Sequence, residues 1–221
     1  ILHKLRRAMV RPDRDCIGGV FPVEVDETWV GGRTRGEGRG QHHKTLVVGA
    51  VEARKRKANE EKRDPSKALP RRGGLYAGRL RLQVAPDRSA KSLEGFVLDA
   101  VQPGTHLTTD DWSGYDRIAE KGCRLTQVAQ RGDPAITEQH LPLIHLVFGN
   151  LKTSMNGVHH GVSPQHLQAY LNEYVFRFNR RRTPMAAFQT VLGLIAERVG
   201  PTYDGLYGVA KGRKAWRHPA V

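Results

Sequence analysis

Cysteine is nearly absent from this chain. Cys16 and Cys123 are the only two in 221 residues, and without a CxxC pair there is no spacing for a zinc ribbon or a redox centre. Two separated thiols read as small buried residues, not as a disulfide framework. Long apolar runs are missing too: none approaches the roughly 20 residues that a membrane span needs. No apolar leader accompanies the basic opening ILHKLRRAMVRPDRD, so a cytoplasmic location is expected. No internal repeat is visible, which excludes a solenoid. Acidic residues are in deficit, 22 against 36 Lys plus Arg, for a formal charge of +14. Such a surplus suits a polyanionic partner, because neutralising phosphates releases counterions. Nucleic acid therefore leads over a merely basic soluble or ribosome-associated protein.

The hydrophobic share of 38% is enough for one globular domain with a core. Residues 1–20 read as the end of a basic helix and a loop. FPVEVDETWV (21–30) alternates like a strand, with Val23, Val25 and Glu27 on one face. A basic Gly-rich turn follows over 33–44. TLVVGAVEA (45–53) has the apolar, β-branched character of a buried strand. Residues 54–75 offer almost nothing to bury and read as an exposed basic insertion. A third strand is expected over 78–86, then a helix from a Ser89 cap to Val101. A strand over 106–110, a short helix over 113–122 stopped by Gly122 and a strand over 123–130 complete the α/β part. Helices opening at Pro142, at Ser163-Pro164 and at Thr183-Pro184 follow, each with an apolar stripe at 3.6 spacing. The pattern predicts a mixed five-stranded sheet flanked by helices, with a helical C-terminal part. Residues 201–221 read as a basic tail.

Cleaving and joining phosphodiesters calls for divalent cations held by acidic side chains from separate elements. Asp26 is a candidate because Asp is depleted from strands, and here it faces away from Val23 and Val25. Glu24 and Glu27 flank it and leave the choice of ligand open, and an ordinary ion pair would also explain the residue. Asp110 ends the strand HLTTD, where α/β sheets place their ligands. Helix capping is its bland alternative, and Asp111 is a rival. Asn150, in HLVFGNLKTSMNG, has an amide oxygen that can ligate a hard metal, yet it also reads as a plain polar surface position. Glu173, Arg177 and Arg180 share one side of a helix, where a stabilising i,i+4 pair accounts for the first two. The FRFNRRR run (176–182) adds guanidinium groups able to grip phosphates. Of the histidines, His42, His43, His140, His145, His159, His160 and His166 form no HExxH or zinc-finger spacing, and most read as surface or DNA-contacting residues.

Four segments, VEVDETWVGG, TTDDWSGY, HLVFGNLK and HHGVSPQHLQAYLNEYVFRFNRR, together resemble the ISXO-like insertion-sequence transposases of the DDE branch over roughly residues 20–185. The resemblance implies an RNase H-like catalytic domain, taken here as residues 21–200. It implies metal-dependent cleavage and strand transfer of DNA, with Asp26, Asp110 and Asn150 as catalytic ligands of Mg²⁺ or Mn²⁺. Lys152, Glu173, Arg177 and Arg180 match its supporting positions. On an ideal helix Lys152 points almost opposite Asn150. With Asn third, only two formal charges serve the metals, and Glu138 or Glu173 could supply a further carboxylate. Arg177, Arg180, Arg181, Lys55 and Arg56 are expected to contact DNA, and pairing two ends implies at least a homodimer. Family members carry an N-terminal zinc ribbon and a DNA-binding helical segment, so residues 1–20 read as a remnant and the chain as truncated. The rival expectations are an RNase H-like nuclease that does not join ends and an inactive DNA-binding remnant.

Overall fold

The computed structural model describes residues 2–10, 14–31, 44–56, 74–129 and 133–196. Most of the basic turn at 33–44, most of the basic insertion at 54–75 and the tail at 201–221 lie outside these residues. Five strands form one sheet: β1 (Val23–Val30), β2 (Thr45–Lys55), β3 (Leu75–Val84), β4 (His106–Asp110) and β5 (Arg124–Val128). Their order is β3-β2-β1-β4-β5. β1 runs antiparallel to β2, and β2 to β3, whereas β1–β4 and β4–β5 are parallel. Five α-helices frame the sheet after the short α1 (Leu2–Ala8): α2 (Ala90–Ala100), α3 (Pro134–His140), α4 (Pro142–His159), α5 (Pro164–Asn179) and α6 (Pro184–Ala196). This is the mixed five-stranded, helix-flanked architecture expected from the sequence.

Local chemistry accounts for most element ends. Ser89 caps α2, its hydroxyl accepting from the Ser92 amide, which meets one of the donors that a helix start leaves unpaired. Pro142, Pro164 and Pro184 each open a helix, where the missing N–H costs nothing. Residues Ser113–Lys121 form a 3₁₀ helix instead of an α-helix, closed by Gly122 at φ 90°. α3 was not anticipated. Asp133 caps it through the Ala135 amide, but its seven residues are too short to show a period.

The sheet separates two cores. On one face Val23, Val25 and Leu107 pack with Leu93, Phe96, Val97 and Tyr115. On the other Val47, Val51, Leu80 and Leu82 pack with Leu143, Ile144, Val147, Phe148 and Leu171 of α4 and α5. Strand alternation sends Glu24 and Asp26 to this second, α4-bearing face. Gly49 is the register partner of Asp26. A Cβ there would lie 2.9 Å from Leu82 Cδ2 and Phe148 Cε1 and 3.0 Å from Ile144 Cδ1. Only glycine lets α4 settle this closely onto the sheet beside Asp26.

Candidate metal centre

β1 and β4 pair in parallel, with Val23 beside Leu107 and Glu24 beside Thr108. Continuing that register two residues sets Asp26 alongside Asp110. Period-2 alternation then points both to the same face. One oxygen from each of Asp26, Glu27 and Asp110 lies within 4.8 Å of the others. Two of these acids stand 84 positions apart in sequence, and the strand crossover alone brings them together.

The three carboxylates have different partners. Glu27 is fully engaged: its Oε1 accepts from Arg88 Nε at 2.6 Å and its Oε2 from the Tyr115 hydroxyl at 2.6 Å. Burial, and then the Glu27 charge, holds the Tyr115 hydroxyl well above its ordinary pKa, so it stays a donor. Asp26 is 6% exposed. Its Oδ1 accepts from the Glu27 amide at 2.8 Å, and its Oδ2 lies 3.0 Å from His145 Nε2. Asp110 has the poorest provision. Its Oδ1 is buried with no hydrogen-bond partner, and the nearest cation, Arg88, is 3.8 Å from Oδ2. Burial, then the charges of Glu27 and Asp26, pushes its pKa up to about 6. Arg88 is itself held over the Trp112 ring at 4.1 Å, and Trp112 Nε1 donates to the Arg88 carbonyl at 3.0 Å. Asp111 is exposed and stands outside the cluster.

Glu24 has another task. It is 4% exposed, and its Oε2 accepts from the Leu143 and Ile144 amides at 2.8 and 2.9 Å. These are first-turn donors of α4, whose preceding residue, Leu141, provides no side-chain cap. A carboxylate from β1 therefore caps the helix that carries His145 and also meets the positive end of its dipole. Glu24→Ala would leave two buried N–H groups unpaired. It is expected to destabilise the fold by about 2–3 kcal/mol, read as a lower urea midpoint at unchanged m.

The remaining sequence candidates are dispersed. Asn150 is exposed on α4, five residues past His145 and so about 140° round the helix from it. Lys152, seven residues past His145, returns to the same side, and its pKa responds to Asp26. Burial and Lys44 nevertheless hold that pKa below its usual value. Glu138 lies exposed on α3. Glu173 faces α1: it bonds to Arg6 Nε at 2.6 Å and pairs with Arg177 at 3.7 Å. α5 packs on β3, with β2 between β3 and β1, so Glu173 sits away from the carboxylates. Arg180 lies over Phe176, while Arg181 lies over Phe178 and donates to the Phe178 and Ala77 carbonyls. Lys55 and Arg56 are exposed at the far end of β2, and Arg56 lies over the Tyr76 ring. Lys55 is six residues from Gly49, roughly 20 Å along the strand. His145, Arg88, Tyr115 and Trp112 were not singled out from the sequence. One signal was available: His145 and Lys152 are spaced i,i+7, which puts them on one helix face.

The acidic cluster has the carboxylate oxygens a hard divalent cation takes, with the softer His145 imidazole beside Asp26. The orphaned, buried Oδ1 of Asp110 is the atom such an ion would satisfy. Residues 17–179 match the profile of the ISXO2-like transposase domain family. No curated protein matches the chain. Among solved structures, the catalytic core domain of BIV integrase is similar at 17% identity and a TM-score of 0.46, over 79% of this chain and 95% of that one. No helix among the described residues is long and apolar enough to cross a membrane.

Proposed function

The chain belongs to the ISXO2-like transposase domain family, and from that premise we propose that it cleaves DNA at the ends of an insertion sequence and joins the freed ends to target DNA. Asp26, Asp110 and His145 are the proposed ligands of Mg²⁺ or Mn²⁺. His145 takes the place expected for Asn150, because helical geometry turns Asn150 away from Asp26 whereas His145 Nε2 lies 3.0 Å from Asp26 Oδ2. Neither Glu138 nor Glu173 is needed as a third ligand. The single observation that carries the reading is the meeting of Asp26 and Asp110 on paired strands, with one buried Asp110 oxygen left unsatisfied.

The bound cations would supply an activated water or 3′ hydroxyl and charge stabilisation at the leaving oxygen. The chain's own residues prepare for that chemistry. Arg88 neutralises Glu27 and the Tyr115 hydroxyl holds it, so the negative charge left over is that of Asp26 and Asp110. Gly49 admits α4 to the sheet, and Glu24 caps its first turn, which sets His145 in register with Asp26. Lys152, on the same helix face, would meet a phosphate beside the centre. Arg177, Arg180, Arg181, Lys55 and Arg56 lie outside the centre and would grip backbone phosphates. An imidazole donor is softer than a carboxylate, so Mn²⁺ should support activity better than Mg²⁺. Synapsis of two ends would require at least a dimer.

A strand-transfer assay on paired oligonucleotides carrying the element's ends, with Mn²⁺, Mg²⁺ or chelator, tests the reading. Metal-dependent cleavage and joining are expected. Cleavage without joining would reassign the protein as a nuclease, and DNA binding without cleavage in either metal would mark an inactive remnant.

A further inference from the structure

A cavity of about 370 Å³ opens between the chain preceding β1, strand β3 and helix α5. Four guanidinium groups, those of Arg14, Arg79, Arg81 and Arg180, line it against a single carboxylate, Asp15. β3 is one edge of the sheet, and β2 and β1 separate it from β4. The cavity is thus roughly 14 Å across the sheet from the strand of Asp110.

The charges in this cavity are poorly balanced. Arg81 is 8% exposed. Its hydrogen bonds go to the Leu80 and Asp15 carbonyls, which offer dipoles but no counter-charge. Arg79 pairs with Glu52 at 2.9 Å, but Glu52 also serves Arg54 at 2.6 Å. Arg14 reaches Asp99 at 3.4 Å, where the carboxylate side chain is 63% exposed and well screened. Burying a cation without a counter-ion in contact is costly, and Arg81 is held below its ordinary pKa by burial and then by Arg14 and Arg79, with Glu52 pulling the other way. Structure is not lacking around it: the Asn179 amide bonds both the Leu80 N–H and the Leu80 carbonyl, which ties α5 to the strand that carries Arg79 and Arg81.

We propose that this cavity is an anion site for one phosphate group, separate from the metal centre and formed by Arg14, Arg79, Arg81 and Arg180. Guanidinium forks match phosphate oxygens in pairs, and four of them converge on this cavity against one lining carboxylate. On the transposase reading above, the phosphate belongs to a DNA backbone, and the pocket anchors a stretch of strand away from the reacting bond. A free phosphate ion is the other source of the same chemistry.

Two measurements in chelator test the site. Thermal unfolding at about 10 mM phosphate is compared with chloride at matched ionic strength, low enough for salting effects to be small. Binding of a duplex of arbitrary sequence is followed across a salt series. The variants are Arg14→Gln, half-buried at the rim, and the conservative Arg81→Lys. Wild type should melt higher in phosphate, and Arg14→Gln should lose that gain. Its DNA affinity should fall severalfold at low salt, with a salt slope shallower by about one contact's worth, near 0.9. Loss of the phosphate gain with unchanged DNA binding would assign the site to free phosphate. Equal melting of wild type in phosphate and chloride, with a wild-type slope in both variants, would overturn the site altogether. Neither measurement involves the metal-dependent reaction, so failure of strand transfer and failure of this site are read separately.

Discussion

Asp110→Asn is expected to reduce metal-dependent strand transfer by at least about a thousandfold while making the metal-free protein more stable at neutral pH. The first effect follows from losing a charged ligand, since charge stabilisation by bound metal is worth several kcal/mol in the transition state. The second follows from the site's electrostatics. Asp110 sits beside Asp26 and Glu27 with one oxygen unpaired, and its pKa is pushed up from 3.8 to about 6. Between those values the folded protein binds a proton that the unfolded chain releases. Stability of the metal-free protein therefore rises as pH falls from 7.5 towards 5, and the ionised group costs the fold about 2–3 kcal/mol at neutral pH. Glu52 and Asp87 are shifted the other way, below their ordinary 4.5 and 3.8, so their contribution is lost only at more acid pH. Melting temperatures in chelator at pH 7.5 and 5 should show the rise in wild type and a flatter profile in Asp110→Asn. A wild-type profile that matches the variant's would sink the account. Added Mn²⁺ should stabilise wild type at pH 7.5 more than at pH 5, where a proton competes for the same oxygen.

His145→Ala should cost at least about a hundredfold in strand transfer, because even outer partners of metal ligands are worth roughly 10- to 100-fold. Asn150→Ala should stay within about twofold of wild type, as an exposed residue turned some 140° from His145 does. Paired rate measurements in Mn²⁺, with Mn²⁺ affinity from titration, separate the two residues. The reverse ranking would return the third position to Asn150 and leave His145 as an orienting partner of Asp26. Preserved Mn²⁺ affinity in His145→Ala would likewise remove it as a ligand.

The strands and most helices were legible because their signals are local. Alternation in VEVDETWV put Asp26 on the face away from Val23 and Val25. Ser89, Gly122 and the three helix-opening prolines marked boundaries through backbone chemistry that acts within a few residues. The short α3 and the 3₁₀ geometry of Ser113–Lys121 escaped because neither is long enough to carry a period. The three acids of β1 looked alike in sequence, yet Glu24 caps α4, Glu27 is held by Arg88 and Tyr115, and Asp26 meets His145. Their partners lie between 61 and 120 positions away along the chain.

By itself, then, the order of residues determined the element types, the layered α/β class, the basic surface and the candidacy of Asp26 and Asp110. Which carboxylates gather, which histidine stands beside them and where four arginines line one cavity were decided by tertiary structure alone. The reason is range: hydrogen-bonding periods and caps act over a few residues, whereas the state of a buried charge depends on whatever strand pairing and helix packing bring within a few ångströms of it.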